Sequence, residues 1–440
     1  MANKKFSDFD LKTDSANVQF VVGYNGSDNV RIAPSNLSGG GGASDLDGLS
    51  DCDTTTSGQG SMFIGNVPSG LATDAYYNTG LGYSSLNSLT TANSNTAIGR
   101  NSLKTITASE GQNTAVGASA LETGSSQQYS TAIGSAAGNA ATGREGVYIG
   151  YLSGRVNTSQ GHISIGYQAG YSQTSGTQNT NLGYKAGYSN TTSQGRTMIG
   201  YNAGELHTGN FNTGVGRSAC RQGTGTGNTS VGYTALGGNI SSGGYNTAIG
   251  VNCMMSNGTK SRNTAVGGEA GRLLSTGSYN TIMGYQSGDN LTTGSNNILI
   301  GYGATASAVT VSNEITLGNS SIATLRCAVT SITSLSDERD KKDIKDLEYG
   351  LAFIDALQPR EFVWDNRPET NADGEEFYSN NKGKKDFGFI AQEVKELDND
   401  TLRLVYDSNP DKLELSYGKL VPILVQAIKE LKEEVELLKS

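Results

Sequence analysis

Histidine, tryptophan, proline and cysteine are scarce in this 440-residue chain, at two, one, six and four residues. Histidine occurs only as His162 and His207, so the charged C-terminal stretch cannot assemble a Ser-His-Asp or Cys-His arrangement of its own. Cys52, Cys220, Cys253 and Cys327 are too widely spaced for a disulfide framework or a zinc site. Reduced thiols are expected, with no metal and no cofactor. No stretch approaches the roughly 18 apolar residues that span a bilayer. The opening Met1-Ala-Asn-Lys-Lys-Phe6 lacks the apolar run of a signal peptide. Synthesis and assembly in a cytoplasm, without membrane insertion, are therefore expected. The net charge of −9 and the absence of a basic stripe argue against nucleic acid.

What the chain has is glycine, and charge concentrated at one end. Of its 60 glycines, 55 fall in residues 1–335, whereas 41 of the last 105 residues are charged. Two physically different parts join near residue 335.

The glycines carry a register. An aliphatic residue followed by Gly recurs sixteen times, from Gly65, Gly82 and Gly99 through Gly301 to Gly318, at intervals of 16, 17 or 18 residues. Thr often stands three residues before the Gly and Asn four before, as at Asn95, Asn113 and Asn179. A small residue follows three after it, such as Ala169, Ala186 or Ala203. Disorder does not keep a register. Asn-Thr-Ala-Ile-Gly reads as a short strand with Thr and Ile on one face, ended by Gly in a turn or a close backbone approach. Stacked coils then predict an aliphatic ladder inside and an Asn ladder at a corner. Such a core is thin. One buried aliphatic contributes roughly 1.5–3 kcal/mol, against about 1–2 kcal/mol to order each residue, so association of several chains is expected. Tyr follows the Gly at 83, 151, 167, 184, 201, 233, 285 and 302, either covering corners of the rod or offering rings to sugars.

Over about residues 60–320 these units resemble the head repeats of trimeric autotransporter adhesins, a β-roll in each of three parallel chains. The resemblance implies a homotrimer, with a wider coil or β-prism left open.

Residues 1–60 do not share the repeat. Val18–Val22 and Val30–Ile32 read as two strands around Asn25-Gly26, followed by the flexible run Gly39–Gly42.

The charged stretch opens with Ser336-Asp-Glu-Arg-Asp-Lys341. Read plainly, Ser336 is a helix N-cap with acids in the first turn. Read chemically, Ser with Lys is the remaining nucleophile–base pair when His is absent, provided burial favours the neutral amine. On a regular helix five residues stand about 140° apart, so the backbone must bend or extend between Ser336 and Lys341. The last helix places Val421, Leu424, Ile428, Leu431, Val435 and Leu438 at alternating spacings of three and four, a coiled-coil seam.

Ser336-Asp337-x-Arg339-x-Lys341-x-x-Ile344, Gly350-Leu-x-x-Ile354, Leu357-x-Pro359 and Gly388-Phe-Ile-Ala-Gln-Glu-Val394, with the closing helix, resemble the intramolecular chaperone domain of phage endosialidases, tailspikes and tail fibres. That resemblance implies a trimeric folding helper that cuts itself off once. It makes Leu335–Ser336 the scissile bond, Ser336 the nucleophile and Lys341 the base, with Lys342 the neighbour to be told apart.

The expected fold is mainly β: a homotrimeric β-roll or β-prism-like rod with a C-terminal α-rich (α+β) chaperone domain ending in a coiled coil. Its parts are residues 1–60 for attachment to a virion, 61–318 for the rod, 319–335 as a neck (Ile322, Leu325, Val329) and 336–440 as chaperone. The expected function is a phage tail fibre in the virion, assembled in the host cytoplasm. Its partners would be its own copies, the tail or baseplate, and a host surface glycan or protein. It would be a single-turnover self-cleaving serine peptidase with no external substrate. Two other readings stay open: a polysaccharide-depolymerising tailspike with the same tail, and a bacterial trimeric surface adhesin.

Overall fold

The computed structural model describes residues 20–24, 29–32, 52–53, 60–65, 68–107, 111–124, 127–328, 336–370, 376–378, 381–398, 401–407 and 409–440. It forms two units, Met1–Phe211 and Asn212–Ser440, each treated by itself.

In the first unit, Phe20–Tyr24 and Asn29–Ile32 pair antiparallel. The Asn25-Gly26 bend between them lies outside the described residues, as do 33–51 and most of the attachment segment. From Met62–Ile64 to Thr197–Ile199 the unit winds as a parallel β-solenoid, one three-residue strand per coil. Each strand pairs in register with the next, as in Thr96↔Thr114, Thr114↔Thr131 and Thr180↔Thr197. The second unit repeats the design from Thr213–Val215 to Ile315–Leu317.

The faces of these strands are reversed relative to the expected aliphatic ladder inside. The central residue points into the lumen: Phe63, Ala97, Ala115, Ala132, Tyr148, Met198, Ala265 and Ile282 are fully buried. The flanking Thr and aliphatic residues face outward, with Leu81, Ile133 and Leu182 about 40% exposed (42%, 42% and 40%). A period of two puts Thr and Ile on the same side, and the lumen takes only the odd side chain between them. Larger apolar groups enter from the turns instead. Leu86, Leu103, Leu121, Leu236 and Met254 are buried from left-handed backbone positions, with φ between 46° and 51°.

The Asn ladder is inside and continuous in stretches. Asn95 donates Nδ2–H to Asn78 Oδ1 at 3.0 Å, and Asn113 repeats the contact on Asn95 at 3.0 Å. In the second unit the same bond runs Asn246 to Asn228, Asn263 to Asn246, Asn280 to Asn263 and Asn297 to Asn280, at 2.9–3.1 Å. Glu314 closes that ladder: its N–H donates to Asn297 Oδ1 at 2.9 Å and its carboxylate accepts from Ser307 N–H at 2.9 Å. In the first unit Ser130, His162 and Arg196 replace Asn on the same corner. The lumen there is polar, lined by Asn157, Gln173, Asn181, Asn190 and His207 as well.

The C-terminal part of the second unit is small and mixed. Helices α1 (Leu351–Ala356), α2 (Ala391–Asp398) and α3 (Leu420–Lys439) surround a core of Leu357, Val394, Leu404, Leu420 and Ile423. Strand Arg360–Val363 pairs antiparallel with Lys385–Gly388. Two motif glycines have steric reasons. A β-carbon at Gly350 would stand 2.1 Å from Glu430 Oε1, whose carboxylate also caps α1 through the Leu351 N–H at 2.6 Å. A β-carbon at Gly388 would stand 2.6 Å from the Tyr417 hydroxyl.

Candidate functional site

Ser336 precedes a three-residue 3-10 turn, Glu338–Asp340, rather than a helix. The N-cap is Asp337, not Ser336: its carboxylate accepts from the Arg339 N–H at 2.9 Å. The same carboxylate takes the Arg339 guanidinium on both oxygens, at 3.0 and 2.6 Å. That pairing holds the Asp337 carboxyl below the usual carboxylate range.

At the end of the turn Lys341 is extended (φ −122°, ψ 147°), and its side chain reaches back. Nζ donates to Ser336 Oγ at 2.7 Å and to the Ser336 carbonyl oxygen at 3.1 Å. The two residues that a regular helix would separate are thus brought together by a short turn and an extended residue. Lys341, not its neighbour Lys342, makes the contact. Leu335 lies outside the described residues, so the carbonyl that Ser336 would attack is not placed. Both Ser336 and Lys341 are exposed in the single chain.

The sequence reading did not find the Asp337–Arg339 brace. Its signal was present: an Asp two residues before an Arg at the start of a turn can bond both the backbone N–H and the guanidinium.

A cleft in the second unit is lined by the acids Asp289, Glu314 and Glu414, with Glu269 close enough to act on Asp289. Glu269 accepts from Gln286 at 3.0 Å, Glu314 closes the Asn ladder, and Asp289 is buried with its carboxyl pushed up by desolvation against the pull of Arg272.

Six of the tyrosines that follow the register glycines stack in two groups, a column of four and the pair Tyr285–Tyr302, whereas Tyr83 stands 71% exposed. Tyr151, Tyr167, Tyr184 and Tyr201 form a column with centroid separations of 5.5, 5.1 and 4.8 Å and interplanar angles of 22°, 7° and 7°. Within the column ring faces meet ring faces. Sugars stack on faces, so within the stacked groups the geometry favours rings that cover a corner.

Helix α3 divides the predicted seam from the core. Leu420, Ile423 and Ala427 are buried, whereas Val421, Leu424, Ile428, Leu431, Val435 and Leu438 stand exposed, Ile428 at 65%. Beyond the last coil, Ile322 and Leu325 of the neck are exposed, and Val329 lies outside the described residues. Cys220 and Cys253 are buried and Cys327 is exposed; the Cys52 side chain lies outside the described residues.

Residues 336–403 match the family model described as the chaperone of endosialidase. No curated protein matches the chain. A match that begins at Ser336, following β-solenoid coils, fits a tailspike- or fibre-type protein with a C-terminal intramolecular chaperone.

Proposed function

We propose that the chain is a phage tail fibre whose C-terminal part trimerises, folds the rod and then severs itself at Leu335–Ser336. The observation that carries this reading is the 2.7 Å hydrogen bond from Lys341 Nζ to Ser336 Oγ, at the first residue of the chaperone-of-endosialidase match.

The proposed step is an acyl shift followed by hydrolysis. The neutral Lys341 amine takes the Ser336 hydroxyl proton as Oγ adds to the Leu335 carbonyl carbon. The Leu335–Ser336 C–N bond breaks and the lysine proton passes to the Ser336 nitrogen, leaving an ester. Water then cleaves the ester, regenerating the Ser336 hydroxyl and freeing the Leu335 carboxylate. The amine must be neutral, and burial is what favours that form. In one chain both residues are exposed, so the covering groups have to come from sister chains. This ties cleavage to assembly, and release of the chaperone then makes the assembled rod kinetically stable.

The exposed seam of α3 supports association of like chains, since a row of apolar residues at coiled-coil spacing is normally covered by like helices; the trimer follows from the resemblance. On this reading residues 1–60 attach to the tail or baseplate, the rod meets a glycan or protein on the host surface, and the fibre resides in the virion after assembly in the host cytoplasm. A depolymerase would need a free carboxylate pair, and Glu269 and Glu314 of the coils already accept hydrogen bonds from Gln286 and Ser307.

Denaturing electrophoresis of wild type, Ser336→Ala and Lys341→Ala tests the proposal. Wild type should give fragments of 335 and 105 residues, and both variants should stay whole. Cleavage that persists in Ser336→Ala would remove the serine from the mechanism.

A further inference from the structure

We propose that the polar lumen of the first unit binds a small monovalent anion of the halide class, held between the His207 Nε2–H and the guanidinium of Arg196. The site lies inside the coils and is independent of the reading of residues 336–440 as a self-cleaving chaperone.

It begins with an exception in the repeat. Arg196 stands on the inner corner where most coils carry Asn, its N–H donating to Asn179 Oδ1 at 2.9 Å. The side chain is 1% exposed and so runs within the lumen. Gly204 makes room for it: a β-carbon there would stand 2.7 Å from Arg196 Nη2 and 2.6 Å from Met198 Sδ. The Gly204 carbonyl joins the two halves of the site. It accepts from Arg196 Nη2 at 3.4 Å and from the His207 N–H at 3.2 Å.

His207 supplies the second donor. The Gly209 N–H donates to its Nδ1 at 3.1 Å, so the neutral ring carries its proton on Nε2. His207 is fully buried, and Nε2 has no hydrogen-bond partner among the described residues. A buried donor in that position is costly until an acceptor meets it. Burial and the Arg196 charge both oppose a second proton on the ring, which keeps the group a neutral donor near pH 7.

Two donor groups, one with a full positive charge, call for a ligand that only accepts. Water brings two hydrogens that need acceptors of their own, whereas an anion brings none. A negative charge beside a buried positive one is strongly favoured at low dielectric, and among the described residues the first unit buries no Asp or Glu. One guanidinium matches one negative charge. The side chains packed beside it, Ala186, Met198 and Ala203, offer a larger oxyanion no further donors. The site asks of Arg196 only its charge and its place, since five N–H donors can serve protein and ion together.

The test uses the full chain carrying Ser336→Ala, so that one species is present. Its melting temperature is followed near neutral pH as sodium chloride replaces sodium methanesulfonate at constant ionic strength, and crystals are grown from sodium bromide. A saturable rise of several degrees is expected, lost in Arg196→Asn, which restores the ladder residue. Bromine anomalous density is expected between His207 Nε2 and the guanidinium. An equal rise in Arg196→Asn puts the halide elsewhere and overturns the site. Density without a chloride effect on melting shows binding at crystal concentration only, and also overturns it. Crystals with no density against His207 Nε2 overturn the proposal whatever the variant does, so a variant that fails to fold still leaves the question decided.

Discussion

Gly99 faces Gly117 of the next coil so closely that a β-carbon on Gly99 would stand 2.6 Å from the Gly117 carbonyl oxygen. Gly117 stands in the same relation to Gly134, at 2.5 Å, with φ at +134°. Gly117→Ala therefore combines a forbidden backbone angle with a backbone clash. Strained conformations cost about 1–3 kcal/mol each, and the clash adds to that. A melting temperature clearly below wild type is expected, and an unchanged one would show that the coils relax freely.

Asn263 offers a second stability test. Its Nδ2 donates to Asn246 Oδ1 at 3.1 Å and to the Gly277 carbonyl at 2.9 Å, while its Oδ1 accepts from Asn280 N–H at 2.9 Å. All three contacts are buried. Asn263→Ala strands several groups at about 1–3 kcal/mol for each unsatisfied partner. Calorimetry should show a larger loss than for Asn296→Ala, one position before the ladder's Asn297 rung.

Acid should weaken the polar stretch of the first unit. Burial pushes His162 down to about 4 and His207 down to about 3, with the Arg196 charge adding to the shift at His207. Both folded values lie below the ordinary 6.5, so the unfolded chain binds these protons first. Stability is full above about pH 6.5 and falls as pH drops toward 4 and then 3, at about 1.4 kcal/mol per pH unit for each histidine. His162→Asn, which restores the ladder residue, should flatten that acid branch in urea titrations. Parallel curves for the two proteins would contradict the burial argument.

The seam of α3 links assembly to cleavage. Ile428 is 65% exposed and lies outside the buried face of Leu420, Ile423 and Ala427. Ile428→Lys should leave the fold of the single chain intact, lower the trimer fraction in sedimentation and leave the chain uncut. Normal processing in a monomeric variant would show that one chain suffices for the chemistry.

The Gly and Asn ladders were legible because each coil repeats the same local demand: a backbone without a β-carbon, or an amide that both donates and accepts. The Ser336–Lys341 pair was legible from its motif and from the angular argument that excludes a helix. The Asp337 cap was not, because Ser336 is an equally good capping residue until the turn is seen.

The sequence by itself determined the period, the glycine at each close approach, the amide at most inner corners and the apolar row along α3. Only the tertiary structure decided which strand face turns inward. Alternation separates Thr and Ile from the residue between them, but it does not say which side meets the lumen. The central residue varies from Ala to Tyr to Met, and the leucines that fill the core enter from left-handed turn positions with no strand or helix periodicity. Burial there follows from the width of the closed coil, a property of the whole turn rather than of any few residues along it.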